Sequence, residues 1–181
     1  YVEIIAREMR QEGKAAEVLT DSYLERLKMA APLHDIGKVS IPDQILDKPA
    51  RLTPEEFEVI KTHSANGALI IDRIMSESDD REYLDMAKEV ATYHHEKWDG
   101  NGYPKGLSEQ QIPLSARIMA VADVFDALVS ARPYKEPYSL DNAFSIIQEE
   151  SGRHFDPEVV AAFLHIRPEI ETLFRELGNE R

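Results

Sequence analysis

Apolar residues in this chain recur at intervals of three and four, and no stretch alternates in the manner of a strand. A helix returns to the same side every 3.6 residues and a strand every two, so this spacing restricts the chain to helices. Ile4, Ile5 and Met9 open the pattern, and Tyr23, Leu24, Leu27 and Ala31 continue it after Asp21. Thr53-Pro54-Glu55-Glu56 is a helix start: Thr53 caps, Pro54 suits the first position and Glu56 closes a capping box. Phe57, Ile60, Ala68, Ile71 and Ile74 carry that helix to about Met75, with a break expected near Asn66-Gly67. Further helices are predicted over 81–95 and over 113–131, the second the most apolar and therefore central, with Ile118, Ala122, Phe125 and Val129 on one face. Ser139 caps another that Gly152 ends, Asp156-Pro157-Glu158 opens the next, and Arg167-Pro168 breaks into the last. Seven or eight helices imply an all-α domain of the bundle type. One long irregular stretch, residues 96–112, is dense in turn formers, and long loops in compact domains tend to be functional.

Charge and composition narrow the function. Lys and Arg total 21 against 34 Asp and Glu, a formal charge of −13, which repels polyanions and argues against a nucleic-acid polymer as partner. There is no cysteine, which excludes thiol nucleophiles and thiolate sites and fits a reducing, cytoplasmic compartment. Any metal must be held by nitrogen and oxygen. No apolar run approaches the roughly 20 residues that span a bilayer. The chain opens on Tyr1 with a helix already under way, so it is read as a fragment of a longer protein, for which a membrane tether stays open.

Four histidine positions fall among carboxylates: His34-Asp35, His63, His94-His95 and Asp123. Imidazole and carboxylate are the usual donors for iron, manganese or zinc. Adjacent residues on a helix point about 100° apart. His34-Asp35 and His94-His95 can therefore each serve two neighbouring ions, and an Asp can bridge a pair. Such a site stabilises both the attacking and the leaving oxygen at phosphorus. Plainer readings exist for each residue alone. His63 could be a core or surface histidine, His94-His95 a solvated helix end, and His34-Asp35 a hydrogen-bonded pair. Against them, Asp35 and Asp123 are expected inside otherwise apolar helices, where an unpaired charge is costly. Lys38, three residues after Asp35, shares its face if the helix continues. Arg132 and Lys135 follow the Asp123 helix and could grip phosphate or simply end that helix. Asp126 shares a face with Asp123 and could support a ligand, read a base or hydrogen-bond within the core.

Laid end to end, these segments resemble the HD-GYP family. The matching runs are His34-Asp35-Ile36-Gly37-Lys38, Ile41-Pro42-Asp43, Ile45 through Pro49, Leu52 through Glu56 and Lys61-Thr62-His63. They continue in His94 through Pro104, which holds the Gly102-Tyr103-Pro104 signature, in Ala116-Arg117-Ile118, Asp123 through Leu128, Arg132-Pro133-Tyr134-Lys135 and Phe155-Asp156-Pro157. The resemblance spans about 1–164 of a single domain, leaving 165–181 as a helical extension. It implies an HD-type helical bundle that hydrolyses the 3′-5′ phosphodiester of cyclic diguanylate to linear diguanylate and GMP. It also implies two or three divalent ions, iron or manganese, held by His34, Asp35, His63, His94, His95 and Asp123. Asp35 and Lys38 take the catalytic roles, and Lys38, Tyr103, Asp126, Arg132 and Lys135 contact substrate, with Lys48 a weaker candidate. His154 and His165 match no ligand position. The family carries a further His ligand, and in some members a Glu, on a helix upstream of the segment aligned with Tyr1. These residues are expected outside this fragment or in a disordered stretch. A receiver or sensory domain ahead of this one and a homodimer are the implied partners. Two alternatives stay open, a module of the same fold that acts by binding, and an HD hydrolase of another cyclic nucleotide or dinucleotide.

Overall fold

The structure, a computed structural model, describes residues 1–76, 79–130 and 136–179. Among these the chain forms α1 (Val2–Gln11), α2 (Asp21–Ala30), a short α3 (Asp43–Leu46), α4 (Pro54–Ile74), α5 (Arg81–Tyr93), α6 (Leu114–Val129), α7 (Leu140–Glu149), α8 (Pro157–His165) and α9 (Arg167–Asn179). Three 3-10 segments, Ala31–Leu33, Ile36–Ser40 and Glu109–Gln111, join them, and the β pairing among the described residues is two isolated bridges. No described helix is long and apolar enough to cross a membrane.

The caps fall where the sequence places them. The Thr53 hydroxyl accepts from the Glu56 amide while the Glu56 carboxylate accepts from the Thr53 amide. Ser139 accepts from Asn142 N–H, and Asp156 from Glu158 N–H with Pro157 behind it. Helix α6 is central. Ile118, Ala122, Phe125 and Val129 are all buried, and the Phe125 ring meets Phe144 and Phe163 at centroid distances of 5.2 and 5.1 Å. The α6 and α8 ends are locked by Arg117, which donates to a buried Asp156 carboxylate at 2.5 Å and to the Ile112 carbonyl at 2.9 Å.

Two expectations are corrected. Helix α4 runs unbroken through Asn66-Gly67. Gly67 is there for contact, because the 3-10 segment Ile36–Ser40 lies directly on this face of α4. A Cβ built on Gly37 would stand 1.9 Å from the His63 carbonyl oxygen and 2.6 Å from the Gly67 nitrogen. Nor do His34 and Asp35 lie on a regular α-helix. Helix α2 ends at Ala30, and the two residues form the junction between 3-10 segments, with Asp35 at φ −100°, ψ 7°. The helical period of the apolar residues continues across this junction, so spacing alone does not reveal it.

Candidate metal centre

Four separate pieces of chain converge. The junction after α2 supplies His34 and Asp35, mid-α4 supplies His63, the end of α5 supplies His94 and His95, and α6 supplies Asp123. Three of the histidines are fixed in the same way. Nδ1 of His34 lies 2.8 Å from the Ala31 carbonyl, Nδ1 of His63 2.6 Å from that of Ile60, and Nδ1 of His94 2.9 Å from that of Val90. Each Nδ1–H donates to its own preceding turn, which turns each Nε2 inward.

Those Nε2 atoms surround Asp35. Its Oδ1 lies 3.5 Å from His63 Nε2 and 3.9 Å from His94 Nε2. Its Oδ2 lies 3.3 Å from His34 Nε2 and 2.6 Å from Lys38 Nζ. His34 Nε2 is in turn 3.5 Å from Asp123 Oδ1. The carboxylate thus divides the donors, with His63 and His94 facing one oxygen and His34, itself backed by Asp123, facing the other. Donor atoms of Asp35, His63, His94 and His95 all lie within 4.8 Å of one another, a spacing that could hold a cation. His95 stands against His94, with ring centroids 4.0 Å apart, and against His63 at 5.0 Å.

The donor set fits a metal. Three buried side-chain polar atoms among the described residues lack a hydrogen-bond partner, and two of them are His63 Nε2 and His94 Nε2. An orphaned buried acceptor costs about 1–3 kcal/mol, and two aimed at one carboxylate are accounted for by a cation between them. Protonation does not answer the need. Burial drives His94 down to about 4 and His95 to about 3, and lowers His63 as well, so all three are neutral donors at physiological pH. Burial also opposes charge at His34, but the Asp123 and Asp35 carboxylates outweigh it and lift that imidazole to about 10, so its Nε2 proton is one that a bound cation would have to displace. Asp35 itself is held well below the ordinary carboxylate range by His34 and Lys38 against its burial.

The remaining sequence-derived candidates distribute around this centre. Tyr103 stacks beside His95 at 4.8 Å, and burial, then Asp35 and Asp123, raise its phenol, keeping the O–H a donor. Asp126 is exposed, contrary to a hydrogen bond within the core, and lines a cavity of about 370 Å³ shared with His34, Asp123, Lys28 and Met119. Lys48 is tied to both Glu56 oxygens at 2.8 and 2.6 Å, so its amine serves the start of α4. Arg132 and Lys135 lie outside the described residues. His154 stacks on Phe155 at 4.2 Å, and His165 meets Glu8 and Glu12 on the opposite side of α1.

One residue of consequence was overlooked in the sequence. Glu96, directly after the His pair, is 2% exposed, and its carboxylate accepts the Lys105 amide at 2.6 Å and the Leu107 amide at 3.1 Å. It pins the loop that carries Tyr103. Gly102 lets that loop press on the same backbone, since a Cβ there would stand 2.3 Å from Lys97 N and 2.5 Å from Glu96 Cα. No local signal marks it, since Asp99 and Glu109 are acids of the same loop.

A helical domain with a buried histidine–carboxylate centre built on a divided aspartate defines the class. The chain belongs to the HD domain family, which it matches over residues 6–159, with the loop signature of the HD-GYP type. It is 48% identical over 170 residues to a cyclic di-GMP phosphodiesterase of Thermotoga maritima, covering 93% of this chain and 45% of that protein. It is 51% identical over 169 residues to a cyclic di-GMP phosphodiesterase of Vibrio cholerae, covering 92% of this chain and 34% of that protein. The chain therefore spans less than half the length of these relatives. Its fold is similar to that of a crystal structure of a cyclic GMP-AMP specific phosphodiesterase from V. cholerae, with a TM-score of 0.59 at 19% identity, over 91% of this chain and 42% of that one.

Proposed function

We propose that the chain is the hydrolytic module of a cyclic diguanylate phosphodiesterase, cutting the 3′-5′ phosphodiester to linear diguanylate and, on a second cut, to GMP. One observation carries the reading: Asp35 presents its two oxygens to two separate sets of inward-facing donors, and two of those donors are buried without partners. His63, His94 and His95 with one Asp35 oxygen, and His34 and Asp123 with the other, would hold two divalent ions, iron or manganese. Bound there, they would supply Lewis-acid stabilisation of phosphoryl oxygens and a nucleophile at neutral pH.

The chain's own residues do the rest. Lys38, 2.6 Å from Asp35, keeps a cation at the edge of the centre where charge develops on phosphate. The Tyr103 O–H, held protonated, donates to a phosphate or ribose oxygen. Asp126 offers acceptors to the N–H groups of a guanine entering the adjacent cavity. Arg132 and Lys135 are assigned to substrate phosphates on sequence grounds. The relatives' names support the cyclic dinucleotide as substrate. A receiver or sensory domain is proposed for the rest of the protein, and a relative from Xanthomonas campestris is named a response regulator.

Turnover decides it. Protein reconstituted with manganese or iron should cleave cyclic diguanylate to the linear dinucleotide, and faster than it cleaves cyclic GMP-AMP. Tight binding without cleavage, under full metal loading, would show a binding module instead.

A further inference from the structure

Helix α4 carries an aromatic residue on the wrong side. Phe57 belongs to its apolar series yet is 44% exposed, while Ile71 of the same series is fully buried. Its ring is not isolated. It meets Tyr103 edge-to-face at 6.3 Å and 83°, and Tyr103 lies against His95 at 4.8 Å with the rings tilted by 32°. The ring series Phe57, Tyr103, His95 thus leads in two steps from solvent to the metal centre. The Lys61 amine, paired with an exposed Glu58 at 2.6 Å, rests over both outer rings, 5.0 Å from the Phe57 centroid and 5.6 Å from that of Tyr103, with donors left for a ligand. Phe57 and Lys61 are four apart on α4, so they share a face. His63 lies six residues after Phe57, about 9 Å along the same helix, so the distance from ledge to centre is fixed by one rigid element.

We propose that Phe57, with Tyr103 and Lys61, forms a ledge on which a nucleobase of the substrate stacks while its phosphate sits at the centre. This rests on the cyclic dinucleotide reading given above and adds a specificity-determining residue to it. An exposed aromatic ring beside a polar site has the chemistry to hold a base by its face. Lys61 meets the edge, and guanine offers O6 and N7 acceptors to a lysine donor. The ledge and the Asp126 cavity lie on different elements, α4 and α6, so each base of a dinucleotide would have its own receptor.

The test is steady-state turnover of cyclic diguanylate by the full, metal-loaded protein and its Phe57→Ala, Phe57→Leu and Phe57→Trp variants. Phe57→Ala and Phe57→Leu should raise KM about 5- to 100-fold with kcat little changed. Phe57→Trp should restore KM, and the introduced indole should be quenched on binding. Leucine retains apolar packing but no ring face, so a wild-type KM in Phe57→Leu overturns the ledge. A fall in kcat at constant KM in Phe57→Ala also overturns it, because Phe57 would then only brace the Tyr103 loop. In both cases wild-type turnover leaves the functional reading standing. A wild-type protein that neither binds nor cleaves cyclic diguanylate overturns that reading and the ledge together.

Discussion

Single residues carry unequal shares of this centre. Asp123 projects from an otherwise apolar helix toward His34, and removing it would leave the ion on that side with only His34 and the shared Asp35 oxygen. Asp123→Ala should abolish turnover and lower the bound metal measured by elemental analysis, while His154→Ala should change neither. His154 matters in a different way. Burial lowers it to about 4, helped by Lys97. An unfolded histidine titrates near 6.5, so between about pH 4 and 6.5 the unfolded chain binds the extra proton and folding weakens as pH falls. Its contribution is complete above 6.5 and lost on approach to 4. His154→Gln should therefore lose less stability than wild type between pH 7 and pH 5, read as the shift in urea midpoint of the metal-free proteins.

Elements differ in how legible they were. Helices α4, α7 and α8 were readable because Thr53, Ser139 and Asp156 are capping residues in front of periodic apolar runs, and α6, which has no side-chain cap, from its apolar face alone. The 3-10 junction holding His34 and Asp35 was not. Its geometry depends on Gly37 meeting α4, a contact between residues 26 or more positions apart. For the site, the identities of the donors were legible from residue chemistry and resemblance, but the pairing of each Asp35 oxygen with particular imidazoles arises only from packing. The loop from 96 to 112 was recognised by its turn formers, whereas its anchor was not, since nothing local marks Glu96 as buried. That anchor is testable. Hydrogen bonds to a charged group are worth about 1.5–3 kcal/mol each. Glu96→Ala should release the Lys105 and Leu107 amides to fast hydrogen exchange, and turnover should fall about ten-fold or more as Tyr103 leaves His95. Unchanged protection at both amides would show that the loop holds itself.

At the scale of the molecule, the centre is where separate stretches of chain are joined. The α2 end, α4, the α5 end and α6 would each contribute donors, so the proposed pair of ions, sharing Asp35, would tie all four and stabilise only the folded state. Chelation should abolish turnover and lower the melting temperature, with manganese or iron restoring both; an unchanged melting temperature would mean that packing alone holds the donors in place. Gly37→Ala should be severe, costing more than about 3 kcal/mol, because overpacking here meets backbone that cannot yield; urea unfolding measures it. That close approach has a consequence for how such sequences are sorted. A glycine that touches no ligand atom reports whether a histidine 26 positions later can stand in its place. A descendant that keeps every histidine and aspartate but replaces this glycine has lost the address rather than the donors. Surveys that separate working hydrolases from silent copies should weigh that position beside the donors themselves.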